Sequence, residues 1–292
     1  MKTCFLSIDV EKRENQEIDP FEGVKKLDNI LDIFRKYRAK ATLFVTGEVL
    51  EHQPDLVKKW AEEFEMGCHD YYHVSLDKVD ILGTEKQIKD FIDLYKNILN
   101  KMPKGFRAPR NIIDNEHFEI LERYEFLYDS SVLPRYPLGI RHYAGYRGRA
   151  PITPYYPGKE NYRRGIYPVK SGEAESPLVT FNGARLLEIP ESPVFFSIPL
   201  VGTWLRKLGV KLFKFLFYLK KPDFISLSMH SWDGVKFKGR SSKNSGPVYL
   251  QQLDETMDFL KKIGYEFKSG EQIASDARKA YEIENSCMED GN

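Results

Sequence analysis

The chain has 292 residues, with 44 Lys+Arg against 43 Asp+Glu and a formal net charge of +1, so no global field favours nucleic acid as a partner. A hydrophobic content of 41% suffices for a large core, and the length allows either two domains or one α/β barrel. Three scattered cysteines, Cys4, Cys68 and Cys287, form no C-x-x-C pair, which argues against a zinc ribbon or a disulfide framework and fits a reducing compartment.

A first strand is predicted over residues 3–8, with acidic residues following at once, so a targeting segment is not expected. Nor is there a run of 18 apolar residues to suggest a membrane span. A cytoplasmic location is the resulting expectation. Residues 21–37 carry Val24, Leu27, Leu31 and Phe34 at helical spacing. A buried strand over 41–45 is followed by a helix over 53–64, opened by Pro54, and by a short strand over 65–68 that ends at His69. The helix predicted over 84–99 places Ile88, Phe91, Ile92, Tyr95 and Leu99 on one face. A strand over 104–107 ends at Ala108-Pro109, and a helix over 115–124 precedes a strand over 126–128. Further strands are expected over 185–189 and 223–229, a helix over 248–263 and a last strand over 265–268. Repeated βα units point to a parallel sheet or barrel. We expect one barrel domain over 1–281 and a flexible acidic tail over 282–292. Two stretches break the pattern. Residues 134–180 are too long for an ordinary connection and read as a functional insertion. Residues 197–221 are apolar, aromatic and basic, with no acidic residue.

Polar residues recur at the C-terminal ends of the predicted strands, the face where (β/α) barrels gather their active sites. Asp9 and Glu11 follow the first strand, His69 and His73 the third, and Arg107 ends the fourth. Asp129 follows the fifth, Glu188 lies in the sixth and His230 ends the seventh. Two imidazoles and a carboxylate make a common metal site with positions left open for water and substrate, as in catalytic zinc centres. A second carboxylate beside it suits a general base. Residues i and i+2 at a strand end point the same way, so Asp9 and Glu11 can share one site. Bland readings stand beside these. Arg107 before Ala-Pro also fits a surface loop, and Asp129-Ser130-Ser131 also fits an Asx-type turn. Glu188 reads as tying down a loop, and Cys68 as core. His52, His117 and His142 lack such partners and read as solvated.

At these residues the chain resembles the polysaccharide deacetylase family, also called carbohydrate esterase family 4, over about residues 3–270. The family's T-F-D-D-G meets Ser7-Ile8-Asp9-Val10-Glu11, and H-[ST]-x-x-H meets His69-Asp70-Tyr71-Tyr72-His73. R-x-P meets Arg107-Ala108-Pro109, the fourth region resembles Tyr128-Asp129-Ser130-Ser131, and L-x-x-H meets Leu227-Ser228-Met229-His230. The family's usual second aspartate falls on Val10. A branch with a D-V-D or D-V-E motif places the metal ligand one residue later, which would make Asp9 the base and Glu11 the ligand.

The resemblance implies a distorted (β/α)7-type barrel and a divalent metal, Zn²⁺ by preference, held by Glu11, His69 and His73. Asp9 would act as base, His230 as acid, and Arg107 would hold Asp9 ionised. A backbone N–H near Asn111 would meet the oxyanion. Pro109, Arg110, Asn111, Asp129 and Trp232 would contact substrate, with Asp129 alternatively orienting His230 or capping a turn. The implied reaction is removal of an acetyl or formyl group from an amino sugar, carried on a glycan, a nucleotide or a lipid carrier. Hydrolysis of a small non-sugar amide, as in allantoinase-like relatives, and a non-catalytic metal-bearing glycan- or lipid-binding module are the alternatives. In 197–221, Val201, Trp204, Leu205, Leu208, Leu212, Phe215, Leu216 and Leu219 form one helical stripe, with Arg206, Lys207, Lys211, Lys214, Lys220 and Lys221 elsewhere. It reads either as a barrel helix or as an interfacial helix making peripheral contact with the inner face of a membrane. Gly202 and Gly209 argue against one unbroken helix. Tyr155, Tyr156, Arg163 and Arg164 could then receive a diphosphate or sugar. Nothing in the sequence sets the oligomeric state.

Overall fold

The computed structural model describes residues 2–13, 19–113, 115–134, 150–157, 186–191, 193–195, 198–199, 201–239 and 242–289. One curled parallel sheet runs in the order β10-β1-β2-β3-β4-β5-β6, with β9 also on β1. Its strands are β1 (Lys2–Val10), β2 (Thr42–Val45), β3 (Glu65–Cys68), β4 (Gly105–Phe106), β5 (Tyr128–Asp129), β6 (Leu187–Glu188), β9 (Phe224–His230) and β10 (Tyr265–Lys268). A small antiparallel pair, β7 (Pro193–Phe195) and β8 (Ile198–Pro199), stands apart. Thr3–Phe5 pair with both β9 and β10, and Ser7–Asp9 with both β9 and β2. It follows that β10 and β2 share one edge of β1, one below the other, while β9 takes the other edge.

The helices are α1 (Glu22–Lys25), α2 (Asp28–Lys36), α3 (Gly47–His52), α4 (Pro54–Trp60), α5 (Ile81–Leu99), α6 (Asn115–Arg123), α7 (Gly202–Lys220), α8 (Pro247–Lys262) and α9 (Gly270–Glu289). The predicted helix over 21–37 breaks at Lys26, yet Val24, Leu27, Leu31 and Phe34 all remain buried. An unforeseen helix, α3, starts where the Thr46 hydroxyl accepts the Val49 N–H at 3.3 Å, an N-cap. Most of the stretch read as a flexible tail continues α9, whose backbone is helical to Glu289. Its Glu- and Met-containing sequence is compatible with helix.

Alternation along the strands makes two cores. Cys4, Leu6, Ile8 and Val10 of β1 face the helices, as do Leu43, Val45, Met66, Cys68, Phe106 and Ala108. The inward positions Phe5, Phe44, Tyr128, Leu187, Ile189 and Phe224 fill the barrel, closed below by Ile273 and Ala274 of α9. Phe5, Phe44 and Tyr128 meet edge to face, with centroids 6.3–6.4 Å apart. This is the distorted (β/α) barrel expected from the sequence. Of the 134–180 insertion, Tyr155 pairs antiparallel with Glu188 and Tyr156 packs on the inner core. Arg163, Arg164 and His142 lie outside the described residues.

Candidate active site

The alternation that puts Phe5 inside the barrel puts Asp9 and Glu11 at its top, on the same inner side. On β3 the outward Met66 and Cys68 leave Gly67 and His69 facing in. Cys68 is therefore core, as its sequence position suggested. After His69 the chain does not continue into a helix. Asp70 (φ 61°) and His73 (φ 55°) both adopt left-handed backbone, a conformation costing on the order of 1–2 kcal/mol per non-glycine residue. The resulting tight turn returns His73 to His69, with ring centroids 5.0 Å apart.

Glu11 Oε2 lies 2.5 Å from His73 Nε2 and 3.6 Å from His69 Nε2. These atoms sit within 4.8 Å of one another. Glu11 Oε2 is buried yet accepts no aligned hydrogen bond, as expected of atoms that converge on a shared centre. His69 Nδ1 lies 2.8 Å from the Arg107 carbonyl oxygen. If it donates there, Nε2 carries the lone pair, an orientation typical of ligating histidines. Burial pushes the His69 pKa down, favouring the neutral ring. Burial also pulls His73 down, but Glu11 beside it outweighs that and raises it. One carboxylate and two imidazoles fit a divalent ion of the zinc type.

Arg107 is fully buried and stands on the aromatic floor of the barrel, its guanidinium 4.4 Å from the Phe44 ring centroid and 5.8 Å from that of Phe5. It donates to Asp9 Oδ1 at 2.8 Å, to Ser130 Oγ at 2.9 Å and to the Ser130 carbonyl at 3.0 Å. Glu191 Oε1 lies 2.7 Å from the same guanidinium. The surface-loop reading of Arg107 is thereby excluded. Burial alone would raise the pKa of Asp9, but Arg107, His69 and His230 overcome it and hold the carboxyl at about 2. Asp9 Oδ2 lies 3.9 Å from His69 Nε2, beside the ligand cluster.

His230 ends β9 directly opposite Asp9 in the strand register. Its ring stacks on Trp232, with centroids 4.5 Å and planes 14° apart. Asp233, fully buried, accepts the His230 backbone N–H at 3.0 Å and places Oδ2 3.8 Å from His230 Nδ1, too far for a direct hydrogen bond. Burial would lower the His230 pKa, yet Asp233, Asp9 and Glu11 together push it up to about 9. Asp233 is itself paired with Arg206 of α7 at 2.8 Å.

Two expectations need correction. Asp129 does not reach the substrate side or His230. Tyr128 points into the barrel, so Asp129 points out, where it accepts the Ser131 hydroxyl at 2.7 Å and the Ser131 N–H at 3.0 Å. This is the Asx turn, and Ser131 Oγ in turn accepts the Ala108 N–H at 2.8 Å. The Asn111 N–H itself is given to the Ala108 carbonyl at 3.0 Å, so a backbone donor to an oxyanion near Asn111 would be a neighbouring amide. Asn111 Nδ2 at that turn is a buried donor without an acceptor among the described residues. His117 is buried rather than solvated, while His52 is exposed and stacks on Phe21. Pro109 is buried and Arg110 exposed, both in the 3₁₀ turn Pro109–Asn111. Glu188 accepts the Val132 N–H at 3.1 Å and ties down that loop.

Sequence reasoning passed over Glu191, Arg206 and Asp233. Glu191 and Ser228 join across the opening between β6 and β9 by a 2.7 Å hydrogen bond. Its signal was a second acid three residues beyond Glu188. The signal for Asp233, not used, was its place three residues after His230. Arg206 was hidden in a run of surface lysines.

The sequence profile of the polysaccharide deacetylase family matches residues 19–128, which hold His69, His73 and Arg107. A peptidoglycan deacetylase of Helicobacter pylori is 26% identical over 185 residues, covering 61% of this chain and 57% of that protein. The chain thus spans little more than half of that relative's length. A Mycobacterium smegmatis protein described as a polysaccharide deacetylase superposes with a TM-score of 0.67 at 16% identity, over 96% of this chain and 92% of that one. The allantoinase PuuE superposes with a TM-score of 0.60 at 14% identity, over 94% and 89%. At such identities these two likenesses speak for the barrel alone. Over residues 19–128 the chain is thus similar to the polysaccharide deacetylase family, and its barrel is shared with solved proteins of that description.

Proposed function

We propose that the protein is a metal-dependent hydrolase that removes an N-acyl group, acetyl or formyl, from an amino sugar. The observation that carries this reading is the separation of two titrating groups across one site. Asp9 is held at about 2 and His230 is pushed up to about 9, on adjacent strands in register. At neutral pH the first is a base and the second an acid, the pairing that amide hydrolysis needs.

Glu11, His69 and His73 would hold the divalent ion, with Zn²⁺ favoured by the donor set, in the manner of the D-V-E motif. When bound, such an ion polarises the amide carbonyl and acidifies water. Asp9, fixed by Arg107, takes a proton from the attacking water. As the C–N bond breaks, His230 gives its proton to the departing amine, leaving a carboxylate and a free amino sugar. Trp232, stacked on His230, fixes the ring and offers an apolar face to a sugar. The H. pylori relative is named for peptidoglycan. For this chain we favour an amino sugar on a nucleotide or lipid carrier, met in the cytoplasm.

The test is amine and acid release by the purified protein from N-acetyl and N-formyl amino sugars, free, oligomeric and carrier-linked. Release that disappears in His230→Ala and Asp9→Asn supports the reading. Metal binding without hydrolysis of any member of that panel would instead favour a binding module, and turnover confined to small non-sugar amides an allantoinase-like activity.

A further inference from the structure

Outer helices of a barrel bury one stripe and present polar residues to solvent. The second half of α7 departs from this. Gly209, at φ 77° and ψ 159°, breaks the helix and resets its phase. Beyond it Val210, Phe213, Leu216 and Phe217 are buried, Phe217 against Phe259 and Tyr265 with ring centroids at 6.0 and 5.5 Å. The stripe expected from the sequence is therefore split, and part of it faces out. Leu212, Phe215, Tyr218 and Leu219 are 40%, 59%, 61% and 59% exposed. Positions 212, 215 and 219 lie one above another on the helix surface. Lys211 and Lys214 flank this strip, and Lys220 and Lys221 close its end. The whole stretch 197–221 has no Asp or Glu.

We propose that this face of α7 docks on the headgroup layer of an anionic bilayer, with Phe215 and the leucines at the acyl boundary and the lysines at the phosphates. An apolar strip bordered by lysines matches that layer in both polarity and sign. A two-fold contact of this strip with itself in a second copy would set lysine against lysine, with no carboxylate in 197–221 to offset them. No helix among the described residues is long and apolar enough to cross a membrane, and an α7 lying in the surface plane does not require one. The chain passes from Lys221 straight into the start of β9, so this half of α7 lies at the end of the strand opposite His230. Docking therefore leaves the strand ends that carry Asp9 and His230 uncovered, and it does not depend on what reaction occurs there.

The test is co-sedimentation of the full chain with vesicles of phosphatidylcholine alone or mixed with phosphatidylglycerol, alongside light scattering without lipid. Binding is expected to mixed vesicles only and to weaken as salt is raised. Lys211→Gln and Lys214→Gln should each lower partitioning about fivefold. Phe215→Ser with Leu219→Ser should abolish it while leaving the thermal midpoint unchanged, because these side chains are exposed. Absence of binding to mixed vesicles would overturn the proposal. So would binding that survives the double serine variant, or a dimer that this variant dissociates in a chain that ignores lipid.

Discussion

Arg107 joins the catalytic base to the barrel floor. Its guanidinium lies between Asp9 and Glu191, both buried, so removing it leaves two unpaired carboxylates. Arg107→Ala is expected to destabilise the fold by about 3–5 kcal/mol, seen as a lower urea midpoint. Arg107→Lys keeps the charge but not the planar fork that reaches Asp9 and Ser130 together, so it should fold and lose kcat rather than KM. Asp233 raises the pKa of His230 without a direct hydrogen bond to the ring. His230 is useful as an acid only while protonated, and removing the negative charge lowers its pKa. Asp233→Asn should therefore move the alkaline limb of kcat/KM to lower pH. An unmoved limb would assign that limb to another group.

At the scale of the element, strand parity explains most of what the sequence made legible and where it misled. Counting by twos along β1 places Asp9 and Glu11 on one side, and the structure puts both over the inner core. The same count on β5 would have turned Asp129 outward, because Tyr128 points in; reading Asp129 by motif alone hid this. Two left-handed residues bring His73 back to His69, and no periodicity announces such a turn. In α7 the break at Gly209 was legible from the glycine itself, but a fixed helical period could not foresee the change of phase across it. The tightness of the barrel gives a separate check. A Cβ on Gly67 would lie 2.5 Å from the Phe44 ring, one of the rings beneath Arg107. Gly67→Ala should cost about 1–3 kcal/mol in urea unfolding and disturb activity through Arg107.

At the scale of the whole molecule, a parallel barrel gathers the C-terminal ends of distant strands at one face. That is why the motif residues converge although Asp9 and His230 stand far apart in the chain. The contacts between Glu191 and Ser228 and between Arg206 and Asp233 close the arrangement. They were illegible because they join segments whose adjacency depends on the finished topology. If Glu11, His69 and His73 hold one ion in the folded state only, Zn²⁺ at a hundredfold excess over its Kd should stabilise the protein by about 2.7 kcal/mol, and a chelator should reverse the rise in Tm. The central claim is the division of labour between the two acids of β1's end. It is tested most directly by measuring metal content and amine release together in Glu11→Gln and Asp9→Asn. The account predicts that Asp9→Asn keeps its metal and loses turnover, whereas Glu11→Gln loses both. Full metal and full turnover in Glu11→Gln, or metal loss in Asp9→Asn with Glu11→Gln unaffected, would contradict it.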